Sequence, residues 1–114
     1  MDQEMRVLNL VSLAKKAGRV VSGEFSVSKA VRGGKAHFVI ISLDASDNTK
    51  KKFKNMCEWY HVPVICLADM ERLGHSVGCQ NRSSLAVLDP GFAGAILKAL
   101  GMAPSKSGGS EWQK

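Results

Sequence analysis

"SGEFSVSKAVRGGKAHFVIIS", Ser22 to Ser42, carries a turn, a helix and a strand in succession, and its reading decides the fold. Gly23 opens a short helix and Gly33-Gly34 close it. Val27, Ala30 and Val31 take one helical face, while Phe25, Lys29 and Arg32 share the opposite one. "HFVIIS" then runs apolar without alternation, as a strand does when both of its faces are covered.

The same alternation of elements extends to both sides. Upstream, Val7, Leu10, Val11, Ala14 and Ala17 repeat at helical spacing, with Lys15, Lys16 and Gly18 as a C-terminal stop. "RVVS" is long enough only for a strand. Downstream, Ser46 or Asp47 caps a helix whose inward stripe is Phe53, Met56, Cys57 and Tyr60, and Val62-Pro63 ends it. "VICLA" is a buried strand, and Asp69 caps a short helix that turns Leu73 and Val77 inward. "SSLAVLD" is the last strand. Asp89-Pro90 starts a final helix that ends near Gly101. The expected class is α/β, one domain over residues 1–101, with helices on both faces of a small mixed sheet. Residues 102–114, Ser/Gly-rich and polar around Trp112, read as a disordered tail.

Bulk properties narrow the function. A chain of 114 residues, 45% hydrophobic and 23% charged, has the length for one packed core. Its net charge of +6 favours a polyanionic partner, nucleic acid before an anionic membrane surface. The first 35 residues hold seven cations (Arg6, Lys15, Lys16, Arg19, Lys29, Arg32, Lys35) against Asp2, Glu4 and Glu24, so the excess is concentrated there. No apolar run approaches the roughly 20 residues of a membrane span. The start "MDQEM" sets acids where a secretory leader needs cations, and Cys57, Cys66 and Cys79 form no pairing pattern. A cytoplasmic location is expected.

Enzymatic motifs fail on context. "GHSVG", Gly74 to Gly78, matches the G-x-S-x-G nucleophile elbow, but a helix precedes Ser76 where that elbow needs a strand. Cys57 and His61 stand at i and i+4 with no further ligand pair, so a buried thiol is expected rather than a metal site. Phosphate-loop and dinucleotide glycine patterns are missing. No catalytic site, metal or cofactor is expected. "KKKFK", Lys50 to Lys54, wraps around its helix and reads first as a solvated face that adds to electrostatic steering.

That leaves the start of the second helix. Amide groups there favour phosphate or carbonyl oxygens, Gly23 permits close backbone approach, and Lys29 and Arg32 follow one and two turns along. Phe25 offers a surface for an unstacked base; equally, it is placed to pack locally as a hydrophobic staple. From the residues alone both readings stand.

"LVSLAKKAGRVVSGE", "VSKAVRGGKAHFVIIS" with "DAS" after it, "VP", "LG" with "SVG", and "DPGFA" together resemble the L7Ae type of ribosomal protein. The likeness is nearest its small bacterial YlxQ-type branch and covers roughly residues 5–100. It implies a three-layer α/β/α sandwich and a non-enzymatic partner of structured RNA, kink-turn-like or ribosomal, with association to the translation machinery. DNA is not specifically implied. In the RNA-binding members a glycine opens the second helix, an Asn and a Glu or Gln read sheared G·A pairs, and a Lys follows. Gly23 and Lys29 stand at the glycine and lysine positions, whereas Phe25 and Ser26 replace the two readout residues. The loop before the last strand completes that site. The implied RNA-binding residues are Gly23, Glu24, Phe25, Ser26, Lys29, Arg32, Gln80, Asn81, Arg82 and Ser83, with altered specificity. The rival reading is a protein-interaction module on the same fold that has lost specific RNA binding.

Overall fold

Strict alternation in short strands divides the core in two. The computed structural model describes residues 2–102, in the order α1 (Gln3–Lys16), β1 (Val20–Ser22), α2 (Glu24–Arg32), β2 (Phe38–Ile41), α3 (Asp47–Trp59), β3 (Val64–Cys66), α4 (Met70–Ser76), β4 (Ser84–Val87) and α5 (Pro90–Ala99). On β2, Phe38 and Ile40 enter one apolar cluster and Val39 and Ile41 the other, as a period of two requires. Along β4, Leu85 and Val87 join the first cluster and Ala86 the second. Every residue of both strands is buried, which is why neither shows a polar face in the sequence.

Helices close each side. Val7 and Val11 of α1, Leu73 of α4 and Ile96 of α5 fill the first cluster; Val27 and Val31 of α2 and Phe53 and Cys57 of α3 fill the second. The result is a three-layer α/β/α sandwich around a mixed sheet of order β1-β4-β2-β3. β4 is antiparallel to β1 and to β2, and β2 is parallel to β3. β1 and β2 therefore run the same way. Each is followed by a helix that returns the chain, so α2 and α3 lie in one layer and point in the same direction.

Three details depart from the periodicity. Leu8 is buried while Ala17, the last residue of the expected α1 stripe, is an exposed cap position. Tyr60 is 41% exposed instead of inward, because α3 ends at Trp59 and the chain reverses through His61 at φ 59°. That reversal delivers Val62 to the core in its place. Met102, expected to begin the tail, packs partly buried against the first cluster; the rest of the expected tail, 103–114, lies outside the described residues.

Candidate nucleic-acid interface

Five helices begin among the described residues, and four carry a side-chain cap. Asp2 accepts from Met5 N–H, Ser46 from Thr49 N–H, Asp69 from Arg72 N–H and Asp89 from Phe92 N–H, all at 2.7–3.1 Å. Asp69 and Asp89 cap where the sequence places them, and Ser46 rather than Asp47 caps α3. α2 is different. It opens on Gly23, which has no side chain, and the amides of Glu24, Phe25 and Ser26 have no partner among the described residues. Unpaired amides at a helix start carry partial positive charge and suit an oxyanion.

Gly23 itself is not one of the free donors. Its N–H is given to Ser84 O at 3.0 Å, and its carbonyl accepts from Val27 N–H at 2.9 Å. Its backbone, at φ 95° and ψ 150°, lies in a region that only glycine adopts readily. No atom lies within 4 Å of where a Cβ would stand, so glycine is required for conformation and not for space.

The loop before β4 reaches the same corner. Arg82 Nε donates to Ser22 Oγ at 3.1 Å and Arg82 Nη1 donates to Asn81 O at 2.9 Å, fixing the guanidinium beside the residue that precedes Gly23. Gly23–Ser84 and Arg82–Ser22 thus join two segments sixty residues apart. Gln80 and Asn81 are exposed, and Ser83 is half-buried with its carbonyl accepting from Ser42 N–H. Beneath the loop lies an open polar hollow of about 500 Å³, walled by Glu71, His75, Cys79, Gln80, Asn81 and Arg82.

Phe25 is 80% exposed and does not pack locally as a staple. A staple joins the residue before the cap to the fourth residue of the helix. With Gly23 at the cap those positions are Ser22 and Val27, and Phe25 is at neither. Lys29 and Arg32 are exposed on the same face, opposite the buried Val27, Ala30 and Val31. Glu24, the acid in the first turn of α2, pairs with Lys52 of α3 at 2.5 Å, which cancels its charge. The solvated run Lys50 to Lys54 gives no sign of this partner in the sequence, nor do the apolar stripes single out Trp59, which is 78% exposed. The spacing of seven between Lys52 and Trp59, two helical turns on one stripe, was the available signal.

Elsewhere the motifs are structural. Ser76 closes α4 and its hydroxyl donates to Leu73 O, within the helix and not at a strand-to-helix turn. Cys57 is fully buried, and burial pushes its thiol up to about 12. His61 beside it is exposed and turned out of the helix. No helix among the described residues is long and apolar enough to cross a membrane.

The model of the ribosomal protein L7Ae/L30e/S12e/Gadd45 family matches residues 5–96, from α1 into α5. The chain belongs to that family. Two proteins named RNA-binding protein YlxQ are similar to this L7Ae-family chain. The one from Bacillus subtilis (strain 168) is 41% identical over 91 residues, 80% of this chain and 91% of the relative. The one from Enterococcus faecium is 35% identical over 88 residues, 77% and 84% of the two chains. Among solved structures, a Bacillus halodurans protein described as of unknown function superposes with a TM-score of 0.80 at 34% identity, covering 84% of this chain and 97% of the other. The Giardia lamblia 15.5kD RNA binding protein shares the L7Ae-family fold at a TM-score of 0.76 and 22% identity, over 89% and 87% of the two chains.

Proposed function

We propose that this chain is a non-enzymatic RNA-binding protein of the cytoplasm, acting on structured RNA of kink-turn-like or ribosomal type. One observation carries the reading: α2 starts without a side-chain cap, so three free amides and the Ser22-held Arg82 meet at one corner, with Lys29 and Arg32 exposed along the helix face that leads away from it. Membership of the L7Ae family and similarity to two YlxQ proteins named for RNA binding support it. In this reading Glu24, Phe25 and Ser26 present backbone N–H groups to a phosphate or base oxygen. Lys29 and Arg32 neutralise the flanking backbone, and Gln80, Asn81, Arg82 and Ser83 close over the bent strand.

Readout is altered at two positions. Phenylalanine at 25 has no donor or acceptor for a base edge, and the Ser26 hydroxyl is shorter than a carboxamide or carboxylate. Hydrogen-bonded discrimination gives way to stacking on Phe25, which tolerates any base because every base has a π-face. The chain therefore prefers bent RNA while discriminating weakly among the base pairs at the bend.

Binding to a kink-turn stem-loop and to the same stem with its G·A pairs replaced by Watson–Crick pairs tests this. The expected outcome is measurable affinity for the bent RNA, lost in Lys29→Ala with the fold intact by circular dichroism. Equal affinity of wild type and Lys29→Ala overturns the reading. Capture of a protein in place of RNA, abolished by Phe25→Ala, favours the interaction-module alternative that the 80% exposure of Phe25 would also serve.

A further inference from the structure

We propose a second RNA contact, resting on the reading above: the outer face of the α2–α3 layer, from Phe25 past Lys29, Lys52 and Arg32 to Trp59, is a track for an unpaired strand. That strand leaves the structured element held at the start of α2.

The track follows from topology and helical spacing. α2 and α3 lie side by side on one face of the sheet and run in the same direction. The Glu24–Lys52 pair fixes their stagger, setting the first turn of α2 level with the second turn of α3. Seven residues beyond Lys52, on the same stripe and about 10 Å further along the axis, stands Trp59. Eight residues beyond Glu24, about 12 Å along its own helix, stands Arg32. Phe25 towards one end and Trp59 towards the other thus mark a strip with Lys29 between them, Lys52 level with its start and Arg32 level with its far end.

Nothing in the packing of α3 asks for an aromatic at 59. Its inward residues are Phe53 and Cys57, with Met56 partly buried, and Trp59 at 78% exposure adds nothing to that core. A tryptophan in water leaves a large apolar area uncovered and finds its use against another flat partner. The occupant is decided by charge. α2 and α3 together carry Lys29, Arg32, Lys50, Lys51, Lys52 and Lys54 against Glu24, Asp47 and Glu58; the Glu24–Lys52 pair removes one of each, leaving five cations against two acids. Lys29 between the two exposed rings and Arg32 beside Trp59 break up what would otherwise be an apolar docking patch, which disfavours an apolar protein surface. Flat rings separated by cations match an unpaired strand, whose bases stack while its phosphates are neutralised.

Two RNAs test the track: a kink-turn stem-loop, and the same stem-loop carrying a single-stranded tail of about eight uridines. The protein is the full chain with Trp112→Phe, so that Trp59 is the sole tryptophan. The tailed RNA is expected to quench Trp59 fluorescence and to bind about tenfold more tightly than the tailless one. Trp59→Ala brings the ratio of the two affinities close to one, and Trp59→Phe restores most of it. A tail that adds no affinity, or a ratio unchanged in Trp59→Ala, overturns the track. Should neither stem-loop bind, the function proposed above fails; quenching of Trp59 by an isolated uridine oligonucleotide then still supports the track, and no quenching removes it too. A Trp59 emission shift that follows protein concentration without RNA assigns the face to a second copy of the chain, and the track is wrong.

Discussion

Gly23 carries more of the candidate interface than any charged side chain, through its dihedral angles. At φ 95° and ψ 150° an alanine is strained, although open space surrounds the missing Cβ. Gly23→Ala is expected to destabilise the fold by about 1–3 kcal/mol in urea unfolding. It should also weaken RNA binding, since relaxing the strain turns the amides of Glu24, Phe25 and Ser26. A variant with wild-type stability would show that this backbone is not held as described. Cys57 makes the opposite case, a reactive group with no part in the interface. Burial raises its thiol from 9.0 to about 12, so the folded protein keeps the proton that the unfolded chain releases. Its contribution is complete below pH 9 and is lost as the pH climbs toward 12. The urea midpoint should fall across that window in wild type and fall less in Cys57→Val.

Gly74 shows how one element positions another. In the sequence it belongs to a false nucleophile elbow; in the fold it lets the loop lie against α4. A Cβ there would stand 1.4 Å from the carbonyl oxygen of Gln80 and 3.2 Å from Arg82 N. Cys79 N–H donates to Gly74 O at 2.9 Å and Arg82 N–H to Met70 O at 3.0 Å, so the loop is bonded down over this helix. Replacing glycine by alanine inside a helix ordinarily gains up to about 1 kcal/mol. Here the obstacle is backbone and cannot swing aside, so overpacking wins, at a net cost of about 1–3 kcal/mol. Gly74→Ala should therefore lower both the urea midpoint and RNA affinity, while Asn81→Ala, which trims an exposed loop side chain, leaves stability within about 0.5 kcal/mol. If RNA affinity in Gly74→Ala matches wild type, the loop has no part in binding. At this scale the sequence was informative about helices and mute about the loop. Caps such as Asp69 and Asp89 are local chemistry, whereas the meeting of Gly74 with Gln80 depends on how the chain doubles back.

The whole molecule is legible where its order is local and obscure where it is not. The apolar run at Phe38–Ile41 announced a strand covered on both sides, "SSLAVLD" announced a strand without showing that its faces are covered too, and helical stripes announced the layers. What no periodicity reports is that β4 inserts between β1 and β2, since pairing of strands far apart in the chain leaves no spacing to read. That insertion brings Arg82 to Ser22 and Ser84 to Gly23, making one corner from two segments. The resemblance to a family supplied the association before the geometry could. The net charge of +6 is likewise a property of the whole, and its use is measurable. If Lys29, Arg32 and Arg82 each neutralise one phosphate while Lys52 stays paired with Glu24, the logarithm of affinity should fall against the logarithm of salt with a slope between about −2 and −3. Neutralising Lys29 alone should flatten that slope by a little under one unit. Glu24→Gln acts in reverse: it frees Lys52 from its pair, removes the acid in the first turn of α2, and should raise affinity and steepen the slope. The Glu24–Lys52 pair is exposed on both sides, so its loss costs at most about 1 kcal/mol of stability, and any change in binding reads charge and not unfolding. A slope near zero, with Lys29→Ala and Glu24→Gln indistinguishable from wild type, would mean that the basic corner is decoration and that whatever this fold holds is not held through phosphates.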